Sequence, residues 1–282
     1  MPHSDTLPRT GDWTTARMRD GARIAYRLTR GSGPAGNGRH RFALVHSLAM
    51  DGTFWDRTAA HLGDDADILV LDCRGHGRSD KPAGPYTVAQ FADDLAELFA
   101  AVGWDKAVVA GASMGGCVSL AFAASYPARV AGLGLIDTTA WYGEAAPKQW
   151  EERAQKGLQQ GLASLIPFQV SRWVTEAFRE AHPDLIDAAI AIFLANDPAA
   201  YVETCRMLGT ADLRAALPGF GFPTRILVGE EDYATPVAMA KAMRDAIPGA
   251  RLRVLPGARH LTPLECPDVI AGELRELADA SA

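Results

Sequence analysis

"VVAGASMGGCVSLAFAA", residues 108–124, is an apolar run that stops at Gly111-Ala112-Ser113-Met114-Gly115-Gly116 and then resumes with helical spacing. A buried strand that turns sharply into a helix would read this way. The lone serine between glycines has two explanations. Small residues let a helix pack closely on a sheet. Alternatively, Gly111-x-Ser113-x-Gly115 is a strained elbow that holds a serine out as a nucleophile, and bulkier neighbours two residues away would clash. The pattern alone is weak. Its place, after one apolar run and at the start of a helix, is the context the elbow demands.

Outward from this stretch, short apolar runs recur: "FALVH" (42–46), "ILVLDC" (68–73), "VAGLGLID" (130–137), "RILVGEED" (225–232) and "RLRVLP" (251–256). Their length and lack of alternation suit strands buried on both faces. Upstream, "ARMRDGARIAYRL" (16–28) places Asp20-Gly21 between alternating segments, a hairpin signal. "GSGPAGNG" (31–38) reads as a glycine-rich surface loop. Over 88–102, Val88, Phe91, Leu95, Leu98, Phe99 and Val102 share one helical face, and Thr87 with Gln90 forms a capping box at its start. Strands alternating with helices predict an α/β fold, a mostly parallel sheet with an antiparallel edge at the hairpin.

From Trp141 to Leu217 no strand is expected, only helical stretches broken by Pro147, Pro167, Pro183 and Pro198, with Pro218 just beyond. That is too much helix for one crossover. The expectation is a core of residues 1–140 and 218–282 with a helical cap, 141–217, over the C-terminal edge of the sheet. Helices packed on the sheet's flank are the alternative.

Composition narrows the class. The chain has 282 residues, 48% hydrophobic and 22% charged, as expected of a folded globular protein. A net charge of −6 argues against nucleic acid or an anionic membrane as partner, and leaves a homo-oligomer open. Cys73, Cys117, Cys205 and Cys266 have no paired spacing, so they read as reduced thiols, not as a disulfide framework or zinc site. The N-terminal "MPHSDTLPRTGDWTT" lacks the apolar segment of a secretion signal, and no apolar run reaches membrane-spanning length. The expected place of work is the cytoplasm.

A serine hydroxyl needs a base. Of seven histidines, His3 and His40 lie in polar segments, and His61 and His182 lie in helical stretches. His76, in "DCRGHGRSD", follows a strand and competes. His260, in "LPGARHLTPLE", follows the last strand by a few residues and so shares the sheet edge with Ser113. For the group that orients the imidazole, Asp232 at the end of "RILVGEED" is favoured and Asp137 is the alternative; Glu230 and Glu231 are neighbours of Asp232. A strand-end aspartate can also be a plain turn former. The chain order Ser113, Asp232, His260 suits this architecture. Two backbone N–H groups are needed for a developing oxyanion: Met114, after the nucleophile, and Leu48, in the loop "HSLAMDGTFW" (46–55).

These residues resemble the α/β-hydrolase superfamily over nearly the whole chain, and within it the 3-oxoadipate enol-lactonases. The resemblance rests on "HSLAMDGTFWD" (46–56), "DCRGHGRSDKPAGPYT" (72–87), "GASMGG" (111–116), "GEEDYATP" (229–236), "RHLTPLE" (259–265) and "WVTEAFREAHPD" (173–184). The chain departs from the lactonase pattern at His46, where those enzymes usually carry asparagine, and at Ala49, where they carry glycine. The resemblance implies an eight-stranded sheet flanked by helices with an inserted cap. It implies a small-molecule ester or lactone substrate, an acyl-enzyme, and no metal or organic cofactor. Trp141, Phe168, Trp173 and Phe178 are candidate cap residues around the substrate, with Trp141 and Trp173 preferred. Arg74, Arg78, Arg153, Arg172 and Arg179 are candidates for binding a substrate carboxylate. A broad carboxylesterase would share the same reacting residues. A haloalkane dehalogenase or epoxide hydrolase would need aspartate at position 113. A hydrolase-fold binding protein would keep the residues yet turn over poorly.

Overall fold

Apolar runs become central strands here because both faces are covered. In the computed structural model, which describes residues 12–32 and 39–281, every residue of β4 (Asp67–Leu71) and β5 (Ala107–Ala112) is buried. The remaining strands are β1 (Thr14–Arg17), β2 (Arg23–Thr29), β3 (Arg41–Val45), β6 (Val130–Ile136), β7 (Thr224–Gly229) and β8 (Arg251–Leu255). They form one eight-stranded sheet in the order β1-β2-β4-β3-β5-β6-β7-β8. β1 pairs with β2, and β2 with β4, antiparallel; all the other pairs are parallel. The antiparallel edge is the hairpin read at Asp20-Gly21, closed by Met18 N–H to Ala22 O at 2.8 Å. At the opposite edge, β8 turns Arg251 and Arg253 outward, and charge there discourages pairing with another sheet. The glycine-rich loop at 31–38, apart from Gly31 and Ser32, lies outside the described residues, as does His3.

Helices cover the sheet: α1 (Asp56–His61), α2 (Val88–Val102), α3 (Met114–Ser125), and, after β7, α9 (Val237–Ala246), α10 (Thr262–Glu265) and α11 (Pro267–Asp279). The predicted capping box starts α2. Thr87 Oγ1 accepts from Gln90 N–H at 3.2 Å, and Gln90 Oε1 accepts from Thr87 N–H at 2.9 Å. α3 is buried almost all round, which is why its sequence shows little amphipathic pattern.

Between β6 and β7 the chain leaves the sheet and forms α4 (Ala146–Gln160), α5 (Ile166–Trp173), α6 (Glu176–Ala181), α7 (Pro183–Leu194) and α8 (Pro198–Thr210). A single bridge between Trp141 and Asp212 closes the base of this insertion. Proline opens α7 and α8, and sits one residue inside α4 and α5, where the missing N–H leaves no helical bond unmade. Among the described residues, no single helix is long and apolar enough to cross a membrane.

Candidate active site

Ser113 sits at the junction of β5 and α3 with φ 53° and ψ −115°. A non-glycine residue in that region stores on the order of 1–3 kcal/mol of strain. The junction is held by Ser113 N–H donating to Ile136 O at 2.9 Å, and by Thr138 Oγ1 donating to Ser113 O at 2.6 Å. The flanking glycines are steric necessities. A Cβ on Gly111 would overlap the carbonyl of Gly115, and a Cβ on Gly115 would overlap the carbonyl of Val45. Gly111→Ala is therefore expected to destabilise the fold by about 3 kcal/mol or more. A urea titration followed by circular dichroism checks this; an unchanged midpoint would mean that the elbow can open without penalty.

His260 lies on the turn between β8 and α10. Its Nε2 is 3.0 Å from Ser113 Oγ, and its Nδ1 is 2.9 Å from Asp232 Oδ2. Asp232, just past β7, is fixed on its other sides. Oδ1 accepts from the N–H groups of Ala234 (2.8 Å) and Thr235 (2.9 Å), and Oδ2 accepts from Thr235 Oγ1 at 2.8 Å. Burial works against charge on both partners. It pushes Asp232 up, but His260 and the Thr235 bonds more than offset this and hold the carboxyl below its usual range. It pulls His260 down, but the Asp232 carboxylate more than offsets this and lifts the imidazole above its usual value. An imidazole bridging a hydroxyl and a buried carboxylate can take the hydroxyl proton and be stabilised as the cation that results.

A family model described as the alpha/beta hydrolase fold matches residues 41–267. The chain belongs to this family. The hydrolase is 30% identical to 3-oxoadipate enol-lactonase 2 of Acinetobacter baylyi, over 80% of this chain and 85% of that one. Among solved structures, the enol-lactonase from Burkholderia xenovorans LB400 superposes with a TM-score of 0.88 at 30% identity, covering 94% of this chain and 100% of that chain. A thermophilic esterase from Thermogutta terrifontis, solved with malate bound, superposes at 0.85 and 29% identity, covering 97% and 99%.

Other residues of the hydrolase weighed from sequence fall elsewhere. Asp137, the alternative to Asp232, is fully buried at φ 46° with both oxygens engaged. Oδ1 accepts from Gly229 N–H at 3.1 Å; Oδ2 accepts from Thr262 N–H at 2.9 Å and Thr262 Oγ1 at 2.7 Å. It clamps the end of β7 to the start of α10, the two ends that carry Asp232 and His260. His76 packs against His46 with ring centroids 5.1 Å apart, and burial with the His46 neighbour pushes it down to about 3. Its ring is bonded to Arg74 O at 3.0 Å, not to Ser113. Glu230 accepts from Gly257 N–H and Glu231 pairs with Arg259, whereas His260 Nδ1 bonds Asp232.

The loop from His46 to Asp51 brings Leu48 to the site. Among the described residues, neither Leu48 N–H nor Met114 N–H donates to a protein acceptor. The loop is shaped by the two departures from the lactonase pattern. His46 bonds Ser47 O through Nδ1 at 2.8 Å and accepts Cys73 N–H on Nε2 at 2.9 Å. Ala49 adopts φ 59°, a conformation that favours glycine. Its carbonyl accepts from Asn196 Nδ2 at 2.8 Å, which ties the insertion to the loop. Asn196 escaped the sequence reading because nothing in its neighbourhood marks a contact 147 residues away.

A cavity of about 520 Å³ opens over Ser113 and His260, walled by the insertion. Trp173 and Phe168 line it, as expected. Trp141 and Phe178 are not in the lining. The preference for Trp141 as a substrate contact is corrected: its ring lies 3.6 Å from the Arg214 guanidinium, at the base of the insertion. Phe178 packs on His182, with centroids 4.4 Å apart. Tyr142, from the same wall, lines the cavity with its hydroxyl 4.0 Å from Cys117 Sγ; the sequence reading missed it.

Proposed function

We propose that this hydrolase opens a lactone or carboxylic ester through a serine acyl-enzyme, with 3-oxoadipate enol-lactone as its substrate. The observation that carries the chemistry is His260 bridging Ser113 Oγ and Asp232. The substrate reading is supported by the named activity of relatives at 30% identity. Residues 141–217 act as the cap over the cavity, and residues 1–140 with 218–282 as the core. The four cysteines are all free, in keeping with work in the cytoplasm.

In this scheme His260 removes the Ser113 proton as Oγ attacks the carbonyl carbon. The N–H groups of Leu48 and Met114 bond the oxyanion; each such donor is worth about 10²–10³ in rate. Asp232 holds the imidazole with Nε2 towards the serine. The tetrahedral intermediate collapses and the carbon–oxygen bond of the leaving group breaks. His260 returns its proton to that oxygen, which in an enol-lactone becomes an enol and tautomerises to the ketone. Water, deprotonated by His260, then attacks the acyl carbonyl, and the acid and free Ser113 are regenerated.

The deciding assay is loss of the lactone's ultraviolet absorbance with purified protein, beside p-nitrophenyl acetate as a general ester. Fast lactone turnover supports the full reading. Ester cleavage without lactone turnover favours a broad carboxylesterase, the second reading, for which the Thermogutta terrifontis esterase is the structural argument.

A pH profile gives an independent check. Only neutral His260 can accept the serine proton, and its folded value lies above 6.5 because Asp232 favours the cation. The rate is therefore expected to rise with pH through a midpoint above 6.5. An acid limb centred well below that value would mean that Asp232 does not stabilise the imidazolium.

A further inference from the structure

We infer that Asn196, in the insertion, is a positioning residue for the oxyanion donor Leu48, so that the insertion completes the reaction centre as well as covering it. The inference rests on the acyl-enzyme reading, in which Leu48 N–H bonds the oxyanion.

The core fixes the loop that carries Leu48 only at its ends. At one end His46 Nε2 accepts from Cys73 N–H at 2.9 Å; at the other, Gly52 N–H donates to Asp72 Oδ1 at 2.8 Å. Between them, Met50 N–H donates to Ser47 O at 3.1 Å and closes a four-residue turn. Ala49, third in this turn, has φ 59°, whereas Leu48, second, is not among the residues of positive φ. That combination is a type II turn, whose third position calls for glycine. An alanine there is held against its preference and stays only while its surroundings hold it. Among the described residues, Asn196 is the one group from outside 46–52 that hydrogen-bonds the backbone of Ser47 to Met50.

Asn196 is well placed to hold it. The residue is buried between α7 and α8, and its Nδ2 meets three carbonyl oxygens: Ala49 at 2.8 Å, Ile192 at 3.0 Å and Phe193 at 3.1 Å. Three acceptors fix which end of the amide is nitrogen. One N–H goes to Ala49; the other is shared by Ile192 and Phe193 in the last turn of α7. The side chain is thus clamped to a helix end and reaches across to the loop. The base is tied in a similar way. His260 N–H donates to Arg172 O at 3.3 Å and Leu261 N–H to Trp173 O at 2.7 Å, at the end of α5. β3, which leads into the Leu48 loop, and β8, which leads to His260, lie on opposite sides of β5 in the sheet. The insertion therefore holds both flanks of Ser113. The alanine in place of the lactonase glycine and the asparagine that braces it act as a pair.

The test reads the oxyanion hole separately from the fold and needs no turnover. The probe is hexyl trifluoromethyl ketone, with its Kd measured by calorimetry. Ser113 Oγ adds to its carbonyl carbon, His260 takes the serine proton, and the carbonyl oxygen becomes an oxyanion facing the Leu48 and Met114 N–H groups. Asn196→Ala is expected to weaken ketone binding and lower kcat for p-nitrophenyl acetate, each by about 10-fold or more, with KM within about twofold. Asn196→Ser serves if Asn196→Ala does not fold, because its hydroxyl is an atom shorter towards Ala49. Asp197→Ala removes the neighbouring N-cap of α8, the bond from Ala200 N–H at 2.9 Å. It should lower the thermal midpoint yet keep the ketone affinity. In an Ala49→Gly background the turn holds its shape unaided, so Asn196→Ala should cost less than about threefold. Unchanged kcat and Kd in Asn196→Ala would overturn the inference. So would an equal loss in Asp197→Ala, or equal losses with alanine and with glycine at position 49. If the unaltered protein cleaves no ester or lactone while ketone binding still depends on Asn196, the positioning role stands and the substrate reading fails. If esters are cleaved and ketone binding ignores Asn196, the reading stands and the positioning role fails.

Discussion

Ser113→Ala is expected to lower kcat by about 10⁴-fold or more while the protein stays folded. The substitution removes one oxygen and keeps Cβ, so the backbone at φ 53° carries the same strain before and after. The hydroxyl bonds His260 Nε2 at 3.0 Å and no backbone group among the described residues, so the fold does not depend on it. Thermal midpoints of the two proteins should agree within a few degrees, and fluorophosphonate labelling should vanish in the variant. Because Ser113 lies on the nucleophilic path and not in substrate recognition, KM should move far less than kcat. Turnover surviving in Ser113→Ala would move the nucleophile elsewhere. Cys117, one helical turn further on, is a poor replacement: burial pushes its thiol up to about 11, so little thiolate forms at neutral pH.

How far the sequence discloses this arrangement depends on the range of the interaction. The five inner parallel strands, β3 to β7, are legible within a residue or two, because burial on both faces leaves a nearly unbroken apolar run at each. The Thr87–Gln90 box and the Gly111–Gly115 elbow are equally plain, since each is a contact between residues a few places apart. Long-range partnerships leave no such trace. Asp137 and Asp232 both end strands and look alike in sequence. Only the sheet order, with β6 beside β7 and β7 beside β8, sends one carboxyl to the imidazole and the other to Thr262. Trp141 and Trp173 also look alike, two tryptophans in helical surroundings, yet one is covered by Arg214 and the other lines the cavity. That Arg153 bonds Tyr201 and no carboxylate among the described residues is likewise invisible, because α4 carries Glu151 and Glu152 beside it; the fold gives Glu151 to Arg206 and places Glu152 3.9 Å from Lys148.

The two aspartates yield opposite phenotypes, and this is the sharper test of the proposed site. Asp232→Asn is expected to lower kcat by about 10⁴-fold with little change in stability. An asparagine here can still accept from Ala234 and Thr235 through its oxygen. Its amide then meets His260 Nδ1 with a donor. That forces the proton onto Nε2, so the imidazole offers Ser113 a hydrogen where it should offer a lone pair. Asp137→Asn meets a different difficulty. Both oxygens of Asp137 face donors, Gly229 N–H on one side and Thr262 N–H on the other, so either orientation of an amide sets N–H against N–H. The expected loss is about 1–3 kcal/mol of stability. The rate should fall far less, since Asp137 acts only by holding the His260 turn against β7. Thermal melts and kcat for the two variants, measured side by side, separate the roles. A stable Asp137→Asn that has lost turnover, beside an active Asp232→Asn, would exchange the two assignments and move the orienting carboxylate from β7 to β6.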